Sequence, residues 1–433
     1  MKILLRTVTL LIVFAIVVVA AIIWVPVQRT PAKALSENGS ITTLASGEYV
    51  TQTADCMGCH TAVGGKPFAG GLEVVSPLGV IYSTNITPDK KTGIGNYTLN
   101  DFRAVLYDGI SKGGNHLYPA MPYENYRFMT EADVQSMYQY FMKEVLAVDN
   151  KVPETNLKFP FNQRWGLRVW NWLALKNPDF MPVSDDGRIN RGGYLVQGPG
   201  HCAACHSPRT VFMTQNGISE SSATFLSGGE LNGWSVPDLR GADSVSSKWS
   251  TQQIVHYLAT GRNDYAASVG EMSLVVEHSL QYQTDADNNA IALYLKHLSG
   301  SSDSGTLATQ AKKPPTVTEK LLVSADPSMS IGARLYLDNC AGCHATNGRG
   351  APEIFATLDG NALVNAASPT GLISVILHGV ELPSTEKRPA RLRMQAYAWR
   401  LNDEEVAELA TFVRQGWHND ATKVSSSLVT PLR

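Results

Sequence analysis

The sequence predicts a mainly α-helical chain of three tandem units behind one N-terminal transmembrane helix. Three observations carry that expectation: a long apolar run at the start, one five-residue motif that occurs three times, and a helix with a readable N-cap after each copy. At 433 residues the chain has room for about three domains of roughly 100–200 residues each. Hydrophobic residues make up 44% and charged residues 17%, with a formal net charge of -2. The basic footprint of a nucleic-acid binder is missing, so no nucleic-acid partner is expected.

Residues 1–30 form the first element. Lys2 and Arg6 precede an apolar run from Val8 to Val25 that closes on Trp24 and Pro26. Such a run, at about 1.5 Å rise per residue, spans roughly 27 Å, close to the ~30 Å hydrocarbon layer of a bilayer. It is longer than the core of a secretory signal, which favours an uncleaved signal-anchor, while Ala32-Lys33-Ala34 leaves a small-residue cleavage site as the alternative. Cations on the N-terminal flank keep that end in the cytoplasm, and Trp24 suits the opposite interface. The expectation is a single-pass protein of the bacterial cytoplasmic (inner) membrane with its body facing the periplasm.

All six cysteines fall in three copies of one pattern: Cys56-Met57-Gly58-Cys59-His60, Cys202-Ala203-Ala204-Cys205-His206 and Cys340-Ala341-Gly342-Cys343-His344. A disulfide scaffold would scatter its cysteines and would not need a histidine after every second one. A single Cys-x-x-Cys could be half a zinc site or a redox pair. Three copies, each followed by His, with no cysteine left over, point instead to three covalently bound c-type haems (haem c, iron). Cys56, Cys59, Cys202, Cys205, Cys340 and Cys343 would form the thioethers, and His60, His206 and His344 would be the proximal iron ligands.

The motifs divide the chain into cytochrome c-type domains at 40–148, 187–298 and 326–418. Each opens with a short helical stretch, at Gly47-Glu48-Tyr49-Val50, Gly192-Gly193-Tyr194-Leu195 and Gly332-Ala333-Arg334-Leu335-Tyr336. Each closes with a helix whose N-cap is legible: Thr130 with Asp133, Thr284 with Asp287, Asn402 with Glu405. Helical stripes follow the caps at Val134, Met137, Tyr138 and Phe141, and at Val406, Leu409, Ala410 and Val413. The second unit has Asn288 at the first stripe position and recovers with Ile291, Ala292 and Leu295. Residues 149–186 form an aromatic interdomain segment with Trp165, Trp170 and Trp172, residues 299–325 a flexible linker, and residues 419–433 a tail.

The sixth iron position calls for a thioether in an electron-transfer cytochrome, because Met raises the potential. Met121, Met272 and Met394 lie between the motif and the closing helix of successive units and are the metal-ligand candidates. His116, His256 or His278, and His378 compete with them. Pro67 and Pro352 are candidates for the carbonyl that orients a proximal imidazole. No nicotinamide fingerprint, P-loop or nucleophile elbow is present, and no catalytic residue is assigned.

Beyond the motifs, Asn85-Ile86-Thr87-Pro88-Asp89, Leu117-Tyr118-Pro119-Ala120-Met121-Pro122-Tyr123, Gly200-His201-Cys202 through Pro208-Arg209, Glu277-His278-Ser279-Leu280-Gln281 and Val375-Ile376-Leu377-His378-Gly379 through Trp399-Arg400-Leu401 occur in order. Over roughly Leu44 to Trp417 the chain resembles the tri-haem cytochrome c subunits of membrane-bound alcohol, gluconate, fructose and aldehyde dehydrogenases. Members of that family often have Pro after the third unit's Met, where this chain has Gln395. The resemblance implies an electron conduit. A separate dehydrogenase subunit, with a quinone, flavin or molybdenum cofactor, would oxidise the substrate, and electrons would leave for ubiquinone, another cytochrome or a terminal oxidase. A stand-alone tethered shuttle, or a multihaem redox enzyme such as a peroxidase, is the alternative.

Overall fold

The structure, a computed structural model, describes residues 2–25, 27–33, 46–176, 179–301 and 314–433. Pro26, Ala34 of the candidate cleavage site and residues 302–313 of the predicted linker lie outside the described residues. The described chain is mainly helical, with three small antiparallel sheets.

The N-terminal helix Lys2–Trp24 is apolar on every side, and its span Ile3–Trp24 has a mean hydropathy of 2.9. None of its most apolar stretch is buried against the rest of the chain. A helix of that kind is suited to lipid rather than water. The chain that leaves it is bonded into the first unit. Arg29 Nη1 donates to Asp101 Oδ1 at 2.8 Å, and Thr30 donates through its backbone N (2.8 Å) and its hydroxyl (2.6 Å) to the Asp108 carboxylate. Lys33 Nζ donates to the Met129 carbonyl at 2.8 Å and lies 4.2 Å over the Tyr107 ring. Burial lowers the Lys33 ammonium to a pKa of about 8.

The three closing helices form where their caps predict them. They span Glu131–Lys143, Asp285–Ser299 and Asp403–Gln415, and the side chains of Thr130, Thr284 and Asn402 accept from the backbone N–H three residues on. Val134, Met137, Phe141, Val406, Leu409, Ala410 and Val413 are buried, as their spacing requires, and Asn288 is buried too. The opening helices Gly47–Thr53, Gly187–Gln197 and Ile331–Asn339 pack across them. At each crossing a glycine permits backbone contact: a Cβ on Gly47, Gly192 or Gly332 would fall 2.1, 2.0 or 2.2 Å from the carbonyl oxygen of Ser136, Ala290 or Glu408. The aromatic side chains of Tyr140, Tyr294 and Phe412 flank the same three contacts. One crossing geometry therefore recurs three times.

The first two units also exchange bonds. Tyr49 of the first donates to Asp287 Oδ2 at 2.7 Å and accepts from Thr284 N at the cap of the second unit's closing helix. Tyr194 of the second reciprocates, donating to Asp133 and accepting from Thr130 N at 3.1 Å. Between them runs one continuous apolar core, from Val50 and Met137 to Leu195, Ile291 and Leu295. The third unit has a separate core around Tyr336, Ile373 and Leu409. It meets the second across polar contacts: Lys387 to Asp285 at 2.7 Å, Arg391 to Glu277, His256 to Glu353 at 2.9 Å, and Glu386 N to Gln281 Oε1 at 2.9 Å.

Candidate functional site

Each Cys-x-x-Cys-His motif folds as a single helical turn within a few residues of the end of the unit's opening helix, at Cys56–His60, Ala203–His206 and Ala341–His344. Helical spacing sets residues i and i+3 on one face with i+4 beside them, so both thiols and the imidazole of each motif are presented together.

The histidines share a frame that motif reading did not supply. His60 Nδ1 meets the Thr84 carbonyl at 2.7 Å, His206 Nδ1 the Pro237 carbonyl at 2.9 Å, and His344 Nδ1 the Ala356 carbonyl at 3.0 Å. Pro67 and Pro352 are not the partners. With Nδ1–H donating, each neutral ring keeps its Nε2 lone pair for a metal. Burial lowers the pKa of all three imidazoles, which keeps them in the neutral, ligating form. The backbone of each histidine is tied as well. His60, His206 and His344 accept through their carbonyls from Gly70 N (2.8 Å), Gly228 N (2.8 Å) and Gly350 N (3.0 Å).

These three glycines have φ of 74°, 84° and 58°, in the region that disfavours a side chain. Each packs beside the carbonyl that holds the ring: a Cβ on Gly70 would fall 2.4 Å from Thr84 C, one on Gly350 3.0 Å from Ala356 O, and one on Gly228 3.5 Å from Pro237 C. The carbonyls arrive from short hairpins. Thr84 follows the paired strands Glu73–Ser76 and Gly79–Tyr82, Pro237 follows Gly229–Leu231 and Trp234–Val236, and Ala356 follows the Ala351 to Phe355 bridge.

No disulfide joins any two of the six cysteines. Burial pushes the Cys202 thiol up to about 12 and Cys205 up to about 11. Among the described residues no three His, Cys, Asp or Glu side chains gather into a metal-holding group. A cavity of about 1430 Å³ opens in front of the second and third motifs together and takes in Cys202, Cys205, His206, Cys340, Cys343 and His344. Apolar walls, paired thiols and one available imidazole nitrogen per motif fit a covalently attached haem with a protein-supplied axial nitrogen. The first motif adjoins the second: Cys59 lies within electrostatic reach of Cys205 and Glu271, and the Tyr126 ring of the first unit stands edge-on to His201 at 5.7 Å.

Met272 and Met394 line the same cavity as His206 and His344. Met121 lies at the edge of the first unit's core, in the loop ahead of the Tyr123–Tyr126 helix. The local settings differ, because Met272 sits in the first turn of its own helix, Glu271–His278, and Met394 in a two-residue strand paired with Val380. Three of the competing histidines have other partners. His116 contacts Asn171 at 3.2 Å, His256 pairs with Glu353, and His378 Nε2 meets the Leu432 carbonyl at 2.8 Å. His278 ends the helix that Met272 begins.

Comparison with known proteins bears on this geometry. The cytochrome c family pattern matches residues 329–417, the third unit. The chain is 40% identical over 400 residues to the gluconate 2-dehydrogenase cytochrome c subunit of Pantoea cypripedii, covering 89% of this chain and 88% of that one. It is 40% identical over 397 residues to the cytochrome c subunit of the quinone alcohol dehydrogenase of Gluconobacter oxydans, covering 89% and 81%. It is 36% identical over 426 residues to the fructose dehydrogenase cytochrome subunit of Gluconobacter japonicus, covering 94% and 85%.

The glycine frame predicts a local effect. Gly350→Ala should displace the Ala356 carbonyl, weaken its bond to His344 and raise the reduction potential of one haem, since a less polarised imidazole is a poorer donor to iron. Gly342→Ala, whose Cβ would meet nothing within 4 Å, should leave all potentials in place. An optical redox titration of the two variants reads the difference.

Proposed function

Because the chain belongs to the family of cytochrome c subunits of gluconate, alcohol and fructose dehydrogenases, we propose that it is the electron-transfer subunit of a membrane dehydrogenase with three cytochrome c-type domains, 40–148, 187–298 and 326–418. It accepts electrons from a separate periplasmic catalytic subunit and passes them to ubiquinone or to another respiratory acceptor, such as a cytochrome or terminal oxidase. The observation that carries this reading is the threefold recurrence of one frame: a Cys-x-x-Cys-His turn, an imidazole on a carbonyl, and a histidine carbonyl on a glycine N–H.

Haem c, when bound, would supply one-electron redox chemistry. Cys56 and Cys59, Cys202 and Cys205, and Cys340 and Cys343 would hold it, with His60, His206 and His344 and then Met121, Met272 and Met394 as the side chains offered to iron. The second motif neighbours both others, sharing a cavity with the third and adjoining the first at Cys59, which suits a relay through the middle unit. Substrate binding and the substrate-oxidising cofactor, whether quinone, flavin or molybdenum, belong to the catalytic partner. The N-terminal helix stays attached as a single-pass anchor in the inner membrane. Arg29 and Thr30, just upstream of the candidate cleavage site, and Lys33 within it are bonded into the first unit, which supports retention.

Two experiments test the reading. Met121→His, Met272→His and Met394→His should each lower the potential of one haem and leave the other two unchanged, because an imidazole replaces a thioether. A methionine that only fills a core gap would move none. Affinity purification from gently solubilised membranes should return a stoichiometric dehydrogenase subunit by mass spectrometry; a haem-loaded chain that comes down alone would favour a tethered shuttle.

A further inference from the structure

The aromatic segment between the first two units has two unlike faces. On the helix Gly166–Ala174, Arg168, Asn171 and Ala174 are buried, while Trp172 is 63% and Leu173 49% exposed. The inner face is pinned, with Asn171 Nδ2 donating to the Asp108 carbonyl at 2.8 Å and Tyr123 Oη donating to Asn171 Oδ1 at 2.9 Å. The apolar face therefore cannot roll inward. Phe159 of the same segment is 79% exposed. Trp170 Nε1 donates to the Phe212 carbonyl at 2.8 Å and joins the turn at Val211–Met213, where Phe212 is 63% exposed.

What covers this face is indicated by the partner of Arg168. Its Nη1 donates to the Ile22 carbonyl at 2.9 Å and to the Val25 carbonyl, at the outer end of the apolar helix Lys2–Trp24. These are the carbonyls that a helix end leaves without an intrahelical partner. The contact fixes the Gly166–Ala174 helix at the depth where the anchor leaves the hydrocarbon and where Trp24 is exposed. Tryptophan settles at that depth, and tryptophan, phenylalanine and leucine make up the apolar face of an interfacial helix.

We propose that the helix Gly166–Ala174 and the turn at Val211–Met213 lie in the lipid–water interface, so that the body rests on the bilayer surface as well as being tethered to it. The occupant of the exposed aromatic face is phospholipid. This inference rests on the reading of Lys2–Trp24 as a retained anchor. It predicts that the fused first and second units keep one fixed orientation to the membrane.

The test uses the full haem-loaded chain in vesicles containing phosphatidylglycerol, with the photoreactive substitution Trp172→p-benzoylphenylalanine, Phe212→p-benzoylphenylalanine or Phe14→p-benzoylphenylalanine. After illumination, mass spectrometry should find phospholipid adducts at all three positions, those at 172 and 212 nearer the headgroup than those at 14. Lipid adducts at 14 with none at 172 and 212, or adducts there to a protein subunit instead, would overturn the proposal and leave the anchor standing. Absence of lipid adducts at all three would overturn the anchor reading and the proposal with it.

Discussion

The bond between a histidine Nδ1–H and a main-chain carbonyl is the constraint on which the rest of this molecule is arranged. It selects one tautomer, aims Nε2 away from the backbone, and polarises the ring that would ligate iron. Meeting it three times requires a hairpin or turn that returns a carbonyl to within about 3 Å of each motif, and a glycine that lets the two strands of chain close on one another. The closing helices, crossed by the opening helices at the glycine contacts, contribute Ile291, Leu295, Leu409 and Val413 to the walls of the cavity in front of the second and third motifs.

The units are not assembled alike. The first two share a core and exchange tyrosines across each other's helix caps, so their relative position is set by buried packing and by hydrogen bonds to charged groups. Such contacts are among the stronger ones available to a fold. The third is joined by exposed and partly exposed ion pairs, each worth little on its own, by the main-chain bonds Glu353 N to Asn263 O and Thr357 N to Tyr265 O, and by packing of Trp234 on Gly371 and Pro383 on Gly261. Arg334 stands in the third unit where the others have Tyr49 and Tyr194, which accounts for the missing exchange. The shared cavity nonetheless brings the second and third motifs onto one space.

The helical fold class, the motif turns and the capped closing helices were legible in the sequence because each is encoded locally, by Cys-x-x-Cys-His spacing or by a cap residue with an acid three positions on. The carbonyl partners were not. They lie 24, 31 and 12 residues beyond their histidines, across hairpins of different length, so no fixed spacing reveals them. A shared signal was present in Gly70-Gly71 and Gly228-Gly229, but the third unit has only Gly350 at the corresponding place. The tyrosine exchange was hidden for a similar reason, since Tyr49 and Asp287 are 238 residues apart. Met272 and Met394, singled out by their order along the chain, both line the cavity in front of the second and third motifs, although one occupies a helix and the other a strand.

The proposed three-haem conduit on a retained anchor is tested most directly by intact mass spectrometry of the purified full chain. The account predicts a polypeptide that begins at its first residues and carries three covalent haem masses. A chain carrying fewer haems, with free thiols at the first or second motif, would contradict it.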